Sequence, residues 1–185
     1  MAKKRGAPSR RESILNAASN VVNEHGAAQL TLDATAAAAG VSKGGLLYHF
    51  PSKDQLIEAL LDAYLDGFDA RIEALLKSNG DSERAGQYLR AYVQASFEDP
   101  LPDAPYSAAA LAIVTAYPEL KVKIAKRYEH WQARVLQDGL PADRALAIML
   151  ATDGVWATEL LGLQALDGDR RSSIRDYLFT LIDHA

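Results

Sequence analysis

The sequence predicts an all-α protein of about nine helices. Three observations carry that expectation. The composition is rich in alanine and leucine and poor in β-branched runs. Apolar residues recur at helical spacing between cap and breaker signals along almost the whole chain. No segment alternates apolar and polar residues as a half-buried strand would, and no internal repeat stands out.

The first helix opens at Ser9-Arg10-Arg11-Glu12, a capping box placed after Pro8. Ile14, Leu15, Ala18, Val21 and Val22 then form its apolar stripe, and Gly26 supplies a stop. Thr31 can cap a short second helix, about Leu32–Ala39, which Gly40 breaks. Ser42 can cap a third, ending near Phe50. Pro51 and a second capping box, Ser52-Lys53-Asp54-Gln55, start a long fourth. Its stripe of Leu56, Ile57, Leu60, Leu61, Tyr64, Phe68, Ile72 and Leu75 runs to Asn79-Gly80. A fifth helix follows Asp81. The segment "EDPLPDAP" is too proline-rich for a helix interior. A sixth helix is expected over about Ser107–Ala116. A seventh runs from Pro118 to Asp138-Gly139, and an eighth from Pro141 to about Leu166. Gly168 separates a ninth, about Arg170–Ile182.

With 185 residues and 49% apolar content, the chain suits one or two small domains with a real core. It has no cysteine, which excludes disulfides and thiolate metal sites and fits a reducing cytosol. A cytoplasmic location is therefore expected. No apolar run approaches the ~20 residues a membrane span needs, so no membrane partner is expected. The basic start "MAKKRGAPSRRES" has no apolar stretch behind it, unlike a signal peptide. The net charge of −4 is unevenly spread: residues 1–55 carry +3 and the rest −7. A basic end on an acidic body suits a polyanion partner, and it equally suits a solvated basic tail.

"SKGGLLYHF", residues 42–50, places two adjacent glycines inside a short helix. Each costs roughly 1 kcal/mol relative to alanine there. At about 100° per residue, Leu46 and Phe50 share one side, while Gly44, Gly45 and Tyr48 lie opposite. The outward face is nearly bare, with Lys43 at its start and Tyr48 and His49 at its end. Such a face lets a backbone approach a partner closely, and Lys, Tyr and His can donate to phosphate oxygens. A plain turn at Gly44-Gly45 would leave the same local signal. If the helix forms, Gly45→Ala is expected to stabilise it.

Thr31-Leu32, then Ala39-Gly40-Val41-Ser42-Lys43-Gly44, then Leu46, Tyr48-His49-Phe50, Lys53 and Leu56, closely resembles the N-terminal domain of the TetR family of transcriptional repressors. The resemblance covers about residues 9–56, and the nine-helix outline also fits. It implies a DNA-binding helix-turn-helix domain over 1–50 and a ligand-binding and dimerisation domain over 51–185. It implies a homodimer whose third helices enter successive major grooves of a near-palindromic operator in double-stranded DNA. Lys43, Gly44, Gly45, Leu47, Tyr48 and His49 would then lie at the DNA, with Thr31, Ser42 and Lys53 on phosphates. Val41, Leu46 and Phe50 would hold the motif's core. The basic arm, Lys3, Lys4, Arg5, Arg10 and Arg11, could add minor-groove or phosphate contacts. Leu47 stands where the family often has Tyr, and Gly45 where it often has a polar residue. Few side chains remain to read base edges, so a large share of shape and backbone readout is expected.

The resemblance further implies a small-molecule effector bound among the fourth to eighth helices and a dimer built on the eighth and ninth. Tyr64, Phe68, Tyr88, Tyr92, Tyr128, Trp131 and Trp156 are the aromatic candidates for the cavity, and each is also a candidate for ordinary core. Met149, Asp153, Trp156 and Leu160 share one face of the eighth helix. An acid on an apolar stripe needs a partner or a ligand, and a neighbouring Tyr or Arg would serve as well as an effector. The aromatic lining suggests a flat or hydrophobic compound. Glu159 is expected at a rim or dimer surface, and "LKVKIAKR", residues 120–127, as a solvated face. No nucleotide, metal or catalytic motif is present, so neither an enzyme nor a cofactor is expected. The alternative is a helical ligand-binding or adaptor protein with weak or lost sequence-specific DNA binding.

Overall fold

The computed structural model describes residues 9–78, 84–98, 113, 115–160, 163 and 166–184. Among them it contains eight α-helices, two 3₁₀ turns and no strand. Lys3, Lys4 and Arg5, Gly162, and most of the predicted sixth helix lie outside the described residues. The α-helices are α1 (Arg10–His25), α2 (Leu32–Ala38), α3 (Lys43–His49), α4 (Lys53–Ser78), α5 (Gln87–Phe97), α6 (Lys121–Leu136), α7 (Ala142–Leu160) and α8 (Gly168–Asp183). The predicted seventh, eighth and ninth helices are thus α6, α7 and α8.

Contacts divide these residues into two compact units. The first holds the described residues through Tyr64 and those from Ile113 to Lys121. The second holds those from Leu65 to Glu98 and from Val122 onward. The helix α4 contributes its first half to one unit and its second half to the other.

Local signals build the first unit. Ser9 Oγ accepts the Glu12 amide at 3.2 Å, and the Glu12 carboxylate accepts the Ser9 amide at 2.7 Å, completing the capping box of α1. The Ser9 amide, donating to it, holds the Glu12 carboxyl below its ordinary range. Thr31 Oγ1 caps α2 through the Ala34 amide at 3.0 Å, and Ser42 Oγ caps α3 through the Gly45 amide at 3.1 Å. Between α2 and α3, Gly40 takes φ of 63°, the left-handed turn that favours glycine. Of the second capping box, the bond from the Gln55 amide to Ser52 Oγ is present at 3.2 Å. Ile14, Leu30, Leu46, Phe50, Leu56, Leu60 and Ile113 share one buried cluster. Leu46 is fully buried, so truncating it to alanine would cost about 2–5 kcal/mol.

The second unit depends on contacts distant in sequence. No side chain of its own caps α5, whose N-cap is Gly86 at φ of 79°. Instead the Asp138 carboxylate, from the turn after α6, accepts the Tyr88 and Leu89 amides at 3.0 and 2.8 Å. Gly86 also donates to the Asp138 carbonyl at 2.7 Å. An added Cβ at Gly86 would lie 2.5 Å from Ile182 of α8, so the site excludes any larger residue. Gly168 proves to be the first residue of α8 rather than a separator. Asp167 extends the helix backward by accepting the Arg170 amide at 2.7 Å. Among the described residues, no helix is long and apolar enough to cross a membrane.

Candidate nucleic-acid interface and effector site

In the first unit, α3 is a true helix, and its two glycines fall on the exposed side with Lys43 and Tyr48. Leu46 and Phe50 are buried, and Leu47 and His49 are half-buried. Tyr48 is 85% exposed and is the most exposed large hydrophobic residue in the described structure. Its ring meets His49 edge-on at 5.2 Å. A core does not leave a tyrosine so bare beside two glycines. The arrangement presents backbone, one phenol and one ammonium to whatever approaches.

The two glycines are not equivalent. A Cβ at Gly44 would meet nothing within 4 Å, whereas one at Gly45 would sit 3.2 Å from the capping Ser42 Oγ. For Gly45→Ala the gain in helix propensity is therefore set against crowding of the capping Ser42 hydroxyl, which must give by a few tenths of an ångström. Thr31 and Ser42 spend an acceptor on their caps, but each hydroxyl keeps its proton to donate outward. Lys43 Nζ lies 3.0 Å from the Asp33 carboxylate of α2. Lys53 Nζ stands 5.9 Å from the centre of the Tyr117 ring. Arg10 and Arg11 are exposed at the start of α1, with the Arg11 guanidinium 5.1 Å from the Phe50 ring.

In the second unit, four of the predicted aromatic residues form one group. Phe68 of α4 meets Tyr92 of α5 at 5.4 Å and Trp131 of α6 at 4.9 Å, both edge-on. Tyr92 and Tyr128 lie 6.1 and 6.4 Å from Trp131. Asp153 of α7 joins them. It accepts the Tyr92 hydroxyl at 2.7 Å and the Tyr128 hydroxyl at 2.5 Å. Neighbouring tyrosines thus supply the partners that an acid on an apolar stripe requires. Burial raises the Asp153 carboxyl, and the two phenols pull it partway back. Burial and the adjacent carboxylate raise the Tyr128 phenol. No cationic group pairs with Asp153 among the described residues.

The remaining candidates stand elsewhere. Tyr88 is buried under the Arg134 guanidinium, 4.2 Å from its ring, and burial pushes its phenol up to about 12. Met149 is fully buried, Trp156 is half-buried, and Tyr64 is half-buried on the first unit's part of α4.

A second layer of contacts was not foreseen. Trp131 donates its indole N–H to Asp69 at 2.6 Å, Arg127 pairs with Asp66 at 2.8 Å and also with Asp69, and Arg134 pairs with Glu73 at 2.5 Å. Arg127 therefore leaves the solvated face predicted for residues 120–127, while Val122 stays 61% exposed as expected. Glu159 has a partner within the chain. It binds the Arg171 guanidinium at 3.0 Å and its side chain is largely buried. The acids on α4 at i, i+3 and i+7 were the available signal, because they share a helix face.

Comparison with known proteins finds two family matches along the chain. Residues 14–60 match the family described as bacterial regulatory proteins, tetR family. Residues 86–183 match the family described as Tetracyclin repressor-like, C-terminal domain. The HTH-type transcriptional repressor KstR2 of Rhodococcus jostii is 32% identical over 106 residues, 57% of this chain and 50% of that protein. The HTH-type transcriptional regulator RutR of Escherichia coli is 32% identical over 96 residues, 52% of this chain and 45% of that protein. In both cases the chain spans about half the length of the curated relative it matches. The crystal structure of the multidrug binding protein EbrR complexed with malachite green superposes with a TM-score of 0.69 at 25% identity. That match covers 95% of this chain and 99% of the other.

Proposed function

The chain belongs to the TetR family of bacterial regulators, and on that premise we propose that it is a DNA-binding transcriptional repressor. It binds a near-palindromic operator as a homodimer and is released by a small aromatic effector. The observation that carries this is the outward face of α3, where Gly44, Gly45, Lys43 and the 85%-exposed Tyr48 stand clear of the core. The glycines bring backbone close to the groove. Thr31 and Ser42 hydroxyls, Lys53 and the basic arm reach phosphates.

The homodimer is built on α7 and α8. Ala147, Leu150, Ala151 and Gly154 are all exposed along one face of α7, with Leu150 61% exposed, and Tyr177 of α8 is 63% exposed. The effector enters the group of Phe68, Tyr92, Tyr128 and Trp131. A carboxyl group there, held by two phenol hydroxyls beside Trp131 and Phe68 and with no cationic partner among the described residues, favours an aromatic organic cation over a neutral compound. Malachite green, bound by the similar EbrR, has that chemistry. Release follows from linkage: an effector that binds the DNA-free state more tightly shifts the population toward it.

Selecting the preferred duplex from a random pool tests the DNA reading. A repressor enriches one near-palindromic site and loses affinity steeply with salt, by about 0.9 log units per log unit of salt for each phosphate contacted. Weak binding that is equal on every duplex would instead identify the helical ligand-binding alternative, which the bareness of α3 favours. Adding malachite green or ethidium to the selected complex, beside a neutral polycyclic hydrocarbon, tests the effector reading. Only the cations should displace the DNA.

A further inference from the structure

Asp153 can stand in its place in two forms. Its Oδ1 accepts the Tyr92 hydroxyl at 2.7 Å, and its Oδ2 accepts the Tyr128 hydroxyl at 2.5 Å. A phenol oxygen both donates and accepts. A protonated Asp153 can therefore donate to the Tyr128 oxygen while that phenol's own proton turns elsewhere, with every heavy atom in place. The surroundings decide between the two forms. The titratable groups that face Asp153 are the two phenols, Tyr92 from α5 and Tyr128 from α6. Charged side chains on the neighbouring helices have other partners: Asp69 binds Trp131 and Arg127, Arg90 binds Asp183, and Arg171 binds Glu159. With no cation bearing on it among the described residues, burial outweighs the two hydroxyls and raises the Asp153 carboxyl.

We propose that an effector cation takes the place of a proton on Asp153, so that each cation bound releases one proton and acidity weakens the response. The inference rests on the organic-cation reading given above. In the exchange the Asp153 O–H bond breaks, the proton passes to water, and the carboxylate left behind faces the cation. Positive charge beside the carboxyl opposes the proton, so the complex takes it up only at a lower pH than the free site does. Between those two pH values the free protein carries one proton more than the complex. By linkage, affinity for the cation then falls about tenfold for each pH unit below the free site's value, and is level above it. An aspartate in water would show this only near pH ~4. Burial moves the loss to higher pH.

Ethidium is a suitable probe, because its quaternary charge does not titrate. The full chain, without DNA, is titrated with ethidium by calorimetry from roughly pH 4.5 to 8, a range that brackets a raised carboxyl. Pairs of buffers with different ionisation enthalpies count the protons released, and circular dichroism confirms the fold at each pH. The wild type should gain about tenfold in affinity per pH unit and then level off, with proton release falling from about one per chain toward none over the same range. Asp153→Asn has no proton to give up. It should bind ethidium with the weak affinity of the acidic wild type at every pH, and release no protons. Wild-type affinity that stays level across the range, with no proton release, overturns the proposal while leaving the cation site standing. A pH slope that survives in Asp153→Asn overturns it too, because another group then carries the proton. Ethidium that fails to bind at any pH overturns the organic-cation reading and this inference with it.

Discussion

At Gly44 an added Cβ meets only open space, which makes this residue the clean probe of close approach. Gly44→Ala should raise stability by about 1 kcal/mol, or roughly 2–4 °C in Tm for a chain of this size. If α3 lies against a groove, the same methyl should weaken operator binding about tenfold in a gel-shift titration; unchanged affinity would remove the close-approach role. Asp153 allows a second residue-level prediction. Burial lifts its folded-state pKa above the ordinary carboxylate value, so the folded chain binds this proton more readily than the unfolded chain. The stability it contributes is complete below the ordinary value and is lost as pH rises through the raised one. Asp153→Asn removes that loss, because an amide can accept from one phenol and donate to the other. The variant should melt above the wild type at pH 7, and the difference should shrink as pH falls toward 4. The acid's need for a partner was legible, because it interrupts an apolar stripe. Its partners were not, because Tyr92 and Tyr128 come from helices 61 and 25 residues away.

Among the elements, α3 was readable because everything that forms it is local: Gly40 turns the chain, Ser42 caps, and Leu46 and Phe50 fill the inner face. The start of α5 was not readable. Asp81 suggested a start several residues before Gln87, whereas the cap is Asp138, fifty residues beyond Tyr88. The pairing of α4 with α6 is similar. Asp66, Asp69 and Glu73 stand at i, i+3 and i+7, and Arg127, Trp131 and Arg134 at i, i+4 and i+7, so the two faces match turn by turn. Asp69 is the shared post, bonded to Arg127 and to the Trp131 indole. Asp69→Asn should lower stability by about 1–2 kcal/mol, since both donors lose a charged acceptor. Trp131 would then be less firmly held within the aromatic group. Its fluorescence should shift to the red in the free protein, and the affinity for malachite green should fall. A variant with wild-type emission and ligand affinity would show that the α4–α6 pairing does not position the effector site.

For the whole molecule, the proposed reading makes dimerisation carry most of the DNA affinity. One α3 with two glycines can make few base contacts, so a single half-site is bound weakly. Joining two copies makes the second contact intramolecular, which multiplies affinity by about 10²–10⁴ when the spacing fits. The exposed strip of α7, Ala147, Leu150, Ala151 and Gly154, with Tyr177 on α8, is the apolar surface available for that union. A stable interface needs about 800 Å² per partner, and the small residues let two helices approach closely enough to bury it. Leu150 sits near the middle of the strip and makes no contribution to the buried core, so a charge there should spare the fold. Light scattering should give the wild type about twice the 20.0 kDa chain mass. Leu150→Glu should give the single-chain mass with an unchanged helical circular dichroism spectrum. Its operator affinity should fall at least a hundredfold, while weak binding to scrambled duplex changes little, because single-copy phosphate contacts survive. A variant that stays dimeric would move the interface off this face of α7.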